Sequence, residues 1–321
     1  MNKKNEKLRA GRLFAALLLF VGVFMVGDNI RRQLVIPEAK IVVNGDFREK
    51  NGVPGASEGS TENMSGVGEE TTVSAEIENL GFQQINLTLS DISRGMLTPA
   101  SDGKPLECVS SDNMVALSDV MNQCYTIYSE DIKLNSEAAE ALNLMMNDYN
   151  AATGLSDFVV YGTDSGDNSA GTVCPIKFAE SSCGMTVDLA IIGSAGNVID
   201  YDGADEEGWI IENCAKYGFI VRYPAGKSDK TGVEACPWHL RYVGAANAQM
   251  MVQKSLCLEE YLEYIKSFSY GSPLEIELDG VTEVAYYVQA TGDVTAAYVP
   301  ISGGYSVSGN NSDGYIITYF K

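Results

Sequence analysis

One histidine serves the whole of this 321-residue chain. It is His239, in the segment Cys236-Pro237-Trp238-His239-Leu240-Arg241-Tyr242-Val243-Gly244. An imidazole can act as a base, a proton shuttle or a metal ligand, but each of those chemistries needs company. A serine hydrolase fails for lack of a base, because the only histidine follows Trp238. Gly193-Ser194-Ala195-Gly196 and Ser302-Gly303-Gly304 are turn material, because no Gly-Lys-Ser/Thr signature follows to cradle a phosphate. The other residues with metal or redox chemistry are seven cysteines: Cys108, Cys124, Cys174, Cys183, Cys214, Cys236 and Cys257. They contain no Cys-x-x-Cys pair, which argues against a structural zinc knuckle.

The His239 segment, with Tyr217-Gly218-Phe219-Ile220-Val221-Arg222-Tyr223-Pro224 and Gly226-Lys227 before it, resembles zinc D,D-carboxypeptidases of the VanY type. Agreement is nearly continuous from Trp209 to Gly244 and extends more loosely from Ser129 to Ile265. The family's Glu-Pro-Trp-His segment makes His239 a metal ligand and places Trp238 at the substrate. Cys236 falls where the family has its general-base glutamate, which takes a proton from metal-bound water. The family's Ser-x-His-x-x-Gly-x-Ala-x-Asp segment corresponds to residues 179–188. Gly184 and Asp188 match, so Asp188 takes the metal-carboxylate position, while Ser181 stands in place of the first histidine. A third segment, Ser-Gly-Tyr-Arg-Ser, corresponds to Tyr161-Gly162-Thr163-Asp164-Ser165. Asp164 then replaces the arginine that holds the substrate's terminal carboxylate, and its charge would repel that group.

The resemblance implies an α+β domain with an antiparallel sheet, in a family that cleaves terminal D-alanine from peptidoglycan stem peptides. It also implies that the chemistry has been lost. A serine hydroxyl is a poor zinc ligand beside imidazole, and a thiol with a pKa of about 8.5 is mostly protonated at neutral pH. Asp188 and His239 alone fall short of the three protein ligands plus water of catalytic zinc. On this reading no cofactor is expected, and His239 and Asp188 are hydrogen-bonding residues in an emptied pocket. Two other arrangements stay open beside free or differently paired thiols, because in an extended stretch residues 181 and 183 share a face. Cys183 and Cys236 could close a disulfide over the pocket. They could instead join Asp188 and His239 in a rewired zinc site, with Cys183 as substitute ligand.

Several elements must position these residues. Asn135-Ser136-Glu137 starts a helix with an apolar face at Ala138, Ala139, Leu142, Leu144, Met145, Met146 and Tyr149, ended by Gly154. Ile85–Leu89, Phe158–Tyr161, Met185–Ile192 and Phe219–Tyr223 read as strands. Glu206–Tyr217 and Ala245–Lys266 read as helical. From residue 270 the character changes to short strand-like runs, Leu274–Leu278, Glu283–Gln289, Ala296–Val299 and Tyr315–Tyr319, separated by glycine-rich turns. The expected organisation is a carboxypeptidase-like domain over 76–269 and a small all-β module over 270–321.

Upstream, Lys3, Lys4, Lys7, Arg9 and Arg12 precede an apolar run from Leu13 to Val26. That order predicts a cytoplasmic tail over 1–12 and an uncleaved transmembrane signal anchor over 13–30, with the rest outside the membrane. Residues 31–75 read as a flexible stalk, rich in Gly, Ser, Glu, Thr and Asn from Gly45 onward. The expected location is therefore the cell membrane, crossed once, with the C-terminal domains extracytoplasmic. A net charge of −21 excludes nucleic acid as a partner, since its phosphates would be repelled. The partners expected are peptidoglycan stem peptide or an envelope protein, with the cytoplasmic membrane reached through the anchor.

Overall fold

A computed structural model describes residues 81–100, 113–161, 180, 183–203, 208–278 and 280–321. The tail, anchor and stalk lie outside the described residues, as do Ser181 and Asp164. Among the described residues no helix is long and apolar enough to cross a membrane. The described part opens with β1 (Phe82–Thr88), followed by β2 (Met114–Ala116), β3 (Thr126–Ile127) and β4 (Lys133–Asn135). β2 and β4 pair as an antiparallel ribbon that leads into the first long helix.

That helix, α1 (Ser136–Thr153), begins where the sequence places it. The Asn135 side chain caps it by accepting from the Glu137 amide at 3.0 Å. The apolar face named above is buried except for Leu144, which is half-buried, and Gly154 ends the helix at a φ of 78°, in the left-handed region. α1 packs on a sheet of β5 (Phe158–Tyr161), β6 (Thr186–Ile192), β7 (Val198–Asp200), β8 (Phe219–Tyr223) and β9 (Cys236–Tyr242). The strand order is β3-β5-β6-β9-β8, with β7 on the free part of β6. Every pairing is antiparallel except β3 with β5. The helical stretch before β8 is α2 (Gly208–Asn213) tightened into a 3-10 turn, Cys214–Tyr217. Ala245–Lys266 is two helices, α3 (Ala245–Gln253) and α4 (Leu258–Ile265). The chain breaks between them at Ser255, which takes a positive φ of 54°.

The C-terminal strands are β10 (Leu274–Leu278), β11 (Val281–Gln289), β12 (Val294–Pro300), β13 (Ser306–Gly309) and β14 (Gly314–Phe320). They do not form a separate module. Side chains alternate across the sheet β10-β11-β14-β13. One face sends Leu274, Ile276, Ala285 and Ile316 into a core shared with Val243, Met250, Leu258, Leu262 and Ile265 of the preceding segment. The other sends Tyr286, Tyr315 and Ile317 against Leu87, Ala297 and Val299. β1 pairs along its whole length with β12, from Phe82↔Pro300 to Thr88↔Val294. The boundary expected at 269/270 is thus corrected: a sheet apolar on both faces needs cover on both. All described residues fall in one compact unit, Glu38–Lys321.

Candidate functional site

β6 and β9 lie side by side at the centre of the sheet, in the register Thr186↔Arg241, Val187↔Leu240 and Asp188↔His239. Directly opposed residues of an antiparallel pair put their side chains on the same face, close together. Asp188 and His239 are both buried, with Asp188 Oδ1 and His239 Nδ1 2.5 Å apart. A carboxylate only accepts, so Nδ1–H donates and the carboxylate fixes the tautomer. On β5, Tyr161 is the register partner of Asp188, and its ring stacks on Tyr128 at 4.4 Å. On β8, Tyr223 stacks on the imidazole, centroids 5.5 Å apart and planes 12° from parallel. The β8–β9 ladder slips here: Val221 faces Leu240 but Tyr223 faces Cys236, so two residue steps on β8 oppose four on β9. Such bulges re-aim side chains beside functional sites, and this one spans Pro237-Trp238-His239.

Cys236 is buried among Tyr223 and Val233, with Trp238 packed against them, and its thiol donates to the Glu234 carbonyl at 3.4 Å. With its proton held by a carbonyl, it does not stand as a base in the missing glutamate's place. The Cys183–Cys236 disulfide is corrected as well. Cys183 is disulfide-bonded, whereas Cys236, like Cys124, Cys214 and Cys257, is a thiol. The partner of Cys183 therefore lies outside the described residues. A disulfide sulfur is not a thiolate, so Cys183 is also removed as a substitute metal ligand. The Trp238 indole N–H is buried with no hydrogen-bond partner among the described residues.

The residues that sequence reasoning missed lie just behind the pair. Glu180 is 2% exposed and sits between two arginines. Arg222 Nε donates to both its oxygens, at 3.0 and 3.1 Å. Arg241 Nη1 comes within 2.9 Å of Glu180 Oε1 as an ion pair, without hydrogen-bond alignment. The Ala100 amide adds a bond at 3.1 Å. Burial alone would raise the Glu180 carboxyl, but Arg241 and Arg222 outweigh it and hold the group down at about 2. Arg222 then grips Glu259 on α4 with two bonds, at 3.1 and 2.6 Å, and Arg241 Nη2 donates to the carbonyls of Met96 and Thr98. The network fixes β8 and β9 against α4 and the 96–100 segment. A signal was present in the sequence: arginines inside the apolar runs Phe219–Tyr223 and Leu240–Val243 demand a buried carboxylate.

Zinc fits this donor set poorly. Among the described residues no three His, Cys, Asp or Glu side chains converge as a metal group. Two donors on one tetrahedral zinc, at bond lengths of about 2.0–2.2 Å, would stand about 3.4 Å apart. The Asp188–His239 separation of 2.5 Å is that of a hydrogen bond.

A bulged central strand carrying Trp-His against an Asp-bearing neighbour is the site of a VanY-type peptidase fold. The profile of VanY D-alanyl-D-alanine carboxypeptidases matches residues 178–245, which contain Asp188, Cys236, Trp238 and His239. The chain is 30% identical over 322 residues to a D-alanyl-D-alanine carboxypeptidase of Enterococcus faecium, covering 96% of each protein. It belongs to the VanY D-alanyl-D-alanine carboxypeptidase family. A carboxypeptidase of the same description from Enterococcus faecalis is 42% identical over 84 residues, 26% of this chain and 30% of that protein. The crystal structure of the vancomycin-resistance D,D-dipeptidase VanXYg, in complex with a D-Ala-D-Ala phosphinate analog, has the same fold. It is 24% identical, covers 75% of this chain and 99% of its own, and superposes with a TM-score of 0.61.

Proposed function

We propose that this protein is a membrane-anchored, envelope-facing member of the family that binds peptidoglycan stem peptide, or a partner presenting a similar peptide, without hydrolysing it. The observation that carries this reading is the direct bond between Asp188 and His239, which turns the two surviving ligand positions toward each other. Ser181 in place of histidine, the carbonyl-bound Cys236 thiol in place of glutamate, and Asp164 in place of arginine support it. The peptide-binding half rests on the retained Trp238 and on membership of a family named for D-alanyl-D-alanine substrates. The Lys/Arg-flanked run at 13–30 supports the anchor.

The test is metal analysis of the purified extracytoplasmic part with an assay on a D-Ala-D-Ala pentapeptide. The expected result is saturable pentapeptide binding, no stoichiometric zinc and no D-alanine release. Stoichiometric zinc with chelator-sensitive release of D-alanine would establish a working carboxypeptidase and overturn the reading.

A further inference from the structure

Beside Tyr242, at the end of β9, lies a cavity of about 490 Å³ between the start of α3 and the strands β11 and β14. Glu283 on β11 lines it. Its Oε1 has one long contact, from Asn247 Nδ2 at 3.5 Å. That amide is otherwise engaged: Nδ2 donates to the Val243 carbonyl at 2.9 Å, and Oδ1 accepts from Tyr261 at 2.6 Å. Among the described residues no salt bridge reaches Glu283. Burial without a compensating cation pushes its carboxyl up to about 7.

Tyr242 reaches the cavity, and its hydroxyl is pushed up to about 12 by burial and then by Glu137, Glu283 and Glu140. Glu137 lies at the rim. Two aromatic rings are left in solvent at the mouth, Tyr305 at 42% and Phe320 at 59% exposure. The Gly303-Gly304 turn, with φ values of 91° and 78°, brings Tyr305 there, a path closed to most residues with a Cβ.

We propose that this cavity binds an organic ammonium ion, a primary amine on a flexible aliphatic stem, with Glu283 as counter-ion and Tyr305 and Phe320 covering the stem. A half-buried carboxylate stripped of much of its water is costly unless paired, and aromatic faces attract an ammonium group through their quadrupoles. An anionic ligand would meet Glu283 and Glu137. A neutral apolar one would leave the carboxylate unpaired. A hard divalent ion takes six or more oxygens, carboxylates foremost, and among the described residues no three His, Cys, Asp or Glu side chains converge as a metal group. The inference is independent of whether the Asp188–His239 site binds or cleaves peptide.

The probe is n-pentylamine, titrated calorimetrically into the full extracytoplasmic part at pH 6 and pH 7, with n-pentanol and calcium chloride alongside. The expected result is saturable one-to-one binding of the amine, weakened about tenfold or more by Glu283→Gln. Amine binding at pH 6 should also release a proton, detected as a buffer-dependent heat, and Glu283→Gln should abolish that release. Tyr305→Ala, at an exposed position, should weaken binding without lowering the melting temperature. Equal binding by Glu283→Gln, equal binding of pentanol, Glu283-dependent calcium binding, or no saturation at millimolar amine would each overturn the proposal.

Discussion

Asp188 and His239 occupy opposed positions on the β6–β9 ladder, and their side chains meet as a buried hydrogen bond of 2.5 Å. The register itself brings them together, since neither residue leaves its strand to do so. If this bond marks a retired metal site, restoring the missing groups should reverse it. Ser181→His is expected to confer zinc binding, measured by metal analysis after dialysis. Ser181→His with Cys236→Glu should add slow, chelator-sensitive D-alanine release, while Cys236→Glu alone should add neither. Zinc bound as tightly by the unaltered protein as by Ser181→His would contradict this.

Removing the carboxylate between Arg222 and Arg241 should be costly. Glu180→Gln leaves two buried guanidinium groups with no charge against them at that point, and about 3–5 kcal/mol of stability should be lost, read by chemical denaturation. The same group predicts an acid limb. Its folded value near 2 lies below the ordinary 4.5, so its stabilisation is full above about pH 5 and drains as pH falls toward 2. That limb amounts to about 3 kcal/mol. It should be missing from Glu180→Gln, and identical acid profiles for the two proteins would refute the assignment.

Gly184 is fixed by geometry rather than by chemistry. Its φ is 64°, and a Cβ there would lie 2.6 Å from both the Asn135 amide nitrogen and the Met114 side chain. Asn135 caps α1 and also donates its amide to the Gly184 carbonyl at 2.9 Å. Gly184→Ala should therefore combine backbone strain with a clash against main chain, costing about 2–4 kcal/mol in thermal or urea unfolding. A cost below 1 kcal/mol would show that this junction is loose.

Thiol labelling distinguishes the cysteines by location. In the native protein Cys124 should react first, because Cys214, Cys236 and Cys257 are buried. Burial also pushes Cys214 up to about 12 and Cys257 up to about 11, which leaves little thiolate to react. Cys236 should label only on unfolding, and Cys183 only after unfolding and reduction, as mapped by mass spectrometry. Native labelling of Cys236 at the rate of Cys124 would show that the pocket is open.

The sequence by itself determined the family and the surviving ligand positions. Cys236-Pro237-Trp238-His239 and Gly184 to Asp188 are local patterns, and local patterns survive in one dimension. It also determined α1 and its ends, because Asn135 and Gly154 act on their own neighbours. The tertiary structure alone decided the rest. The pairing of Cys183 with Cys236 stays open in one dimension, and only the structure shows Cys183 bonded elsewhere and Cys236 as a thiol. Glu180 was invisible as a partner of Arg222 and Arg241, because charges about 40 and 60 positions away meet only when β8 and β9 close on the 180 segment. The C-terminal strands read as a separate module for the same reason. Their turns are local, but β1 and the α3–α4 core that cover their two faces come from elsewhere in the chain. Burial and register are relations between distant residues, and only folding supplies them.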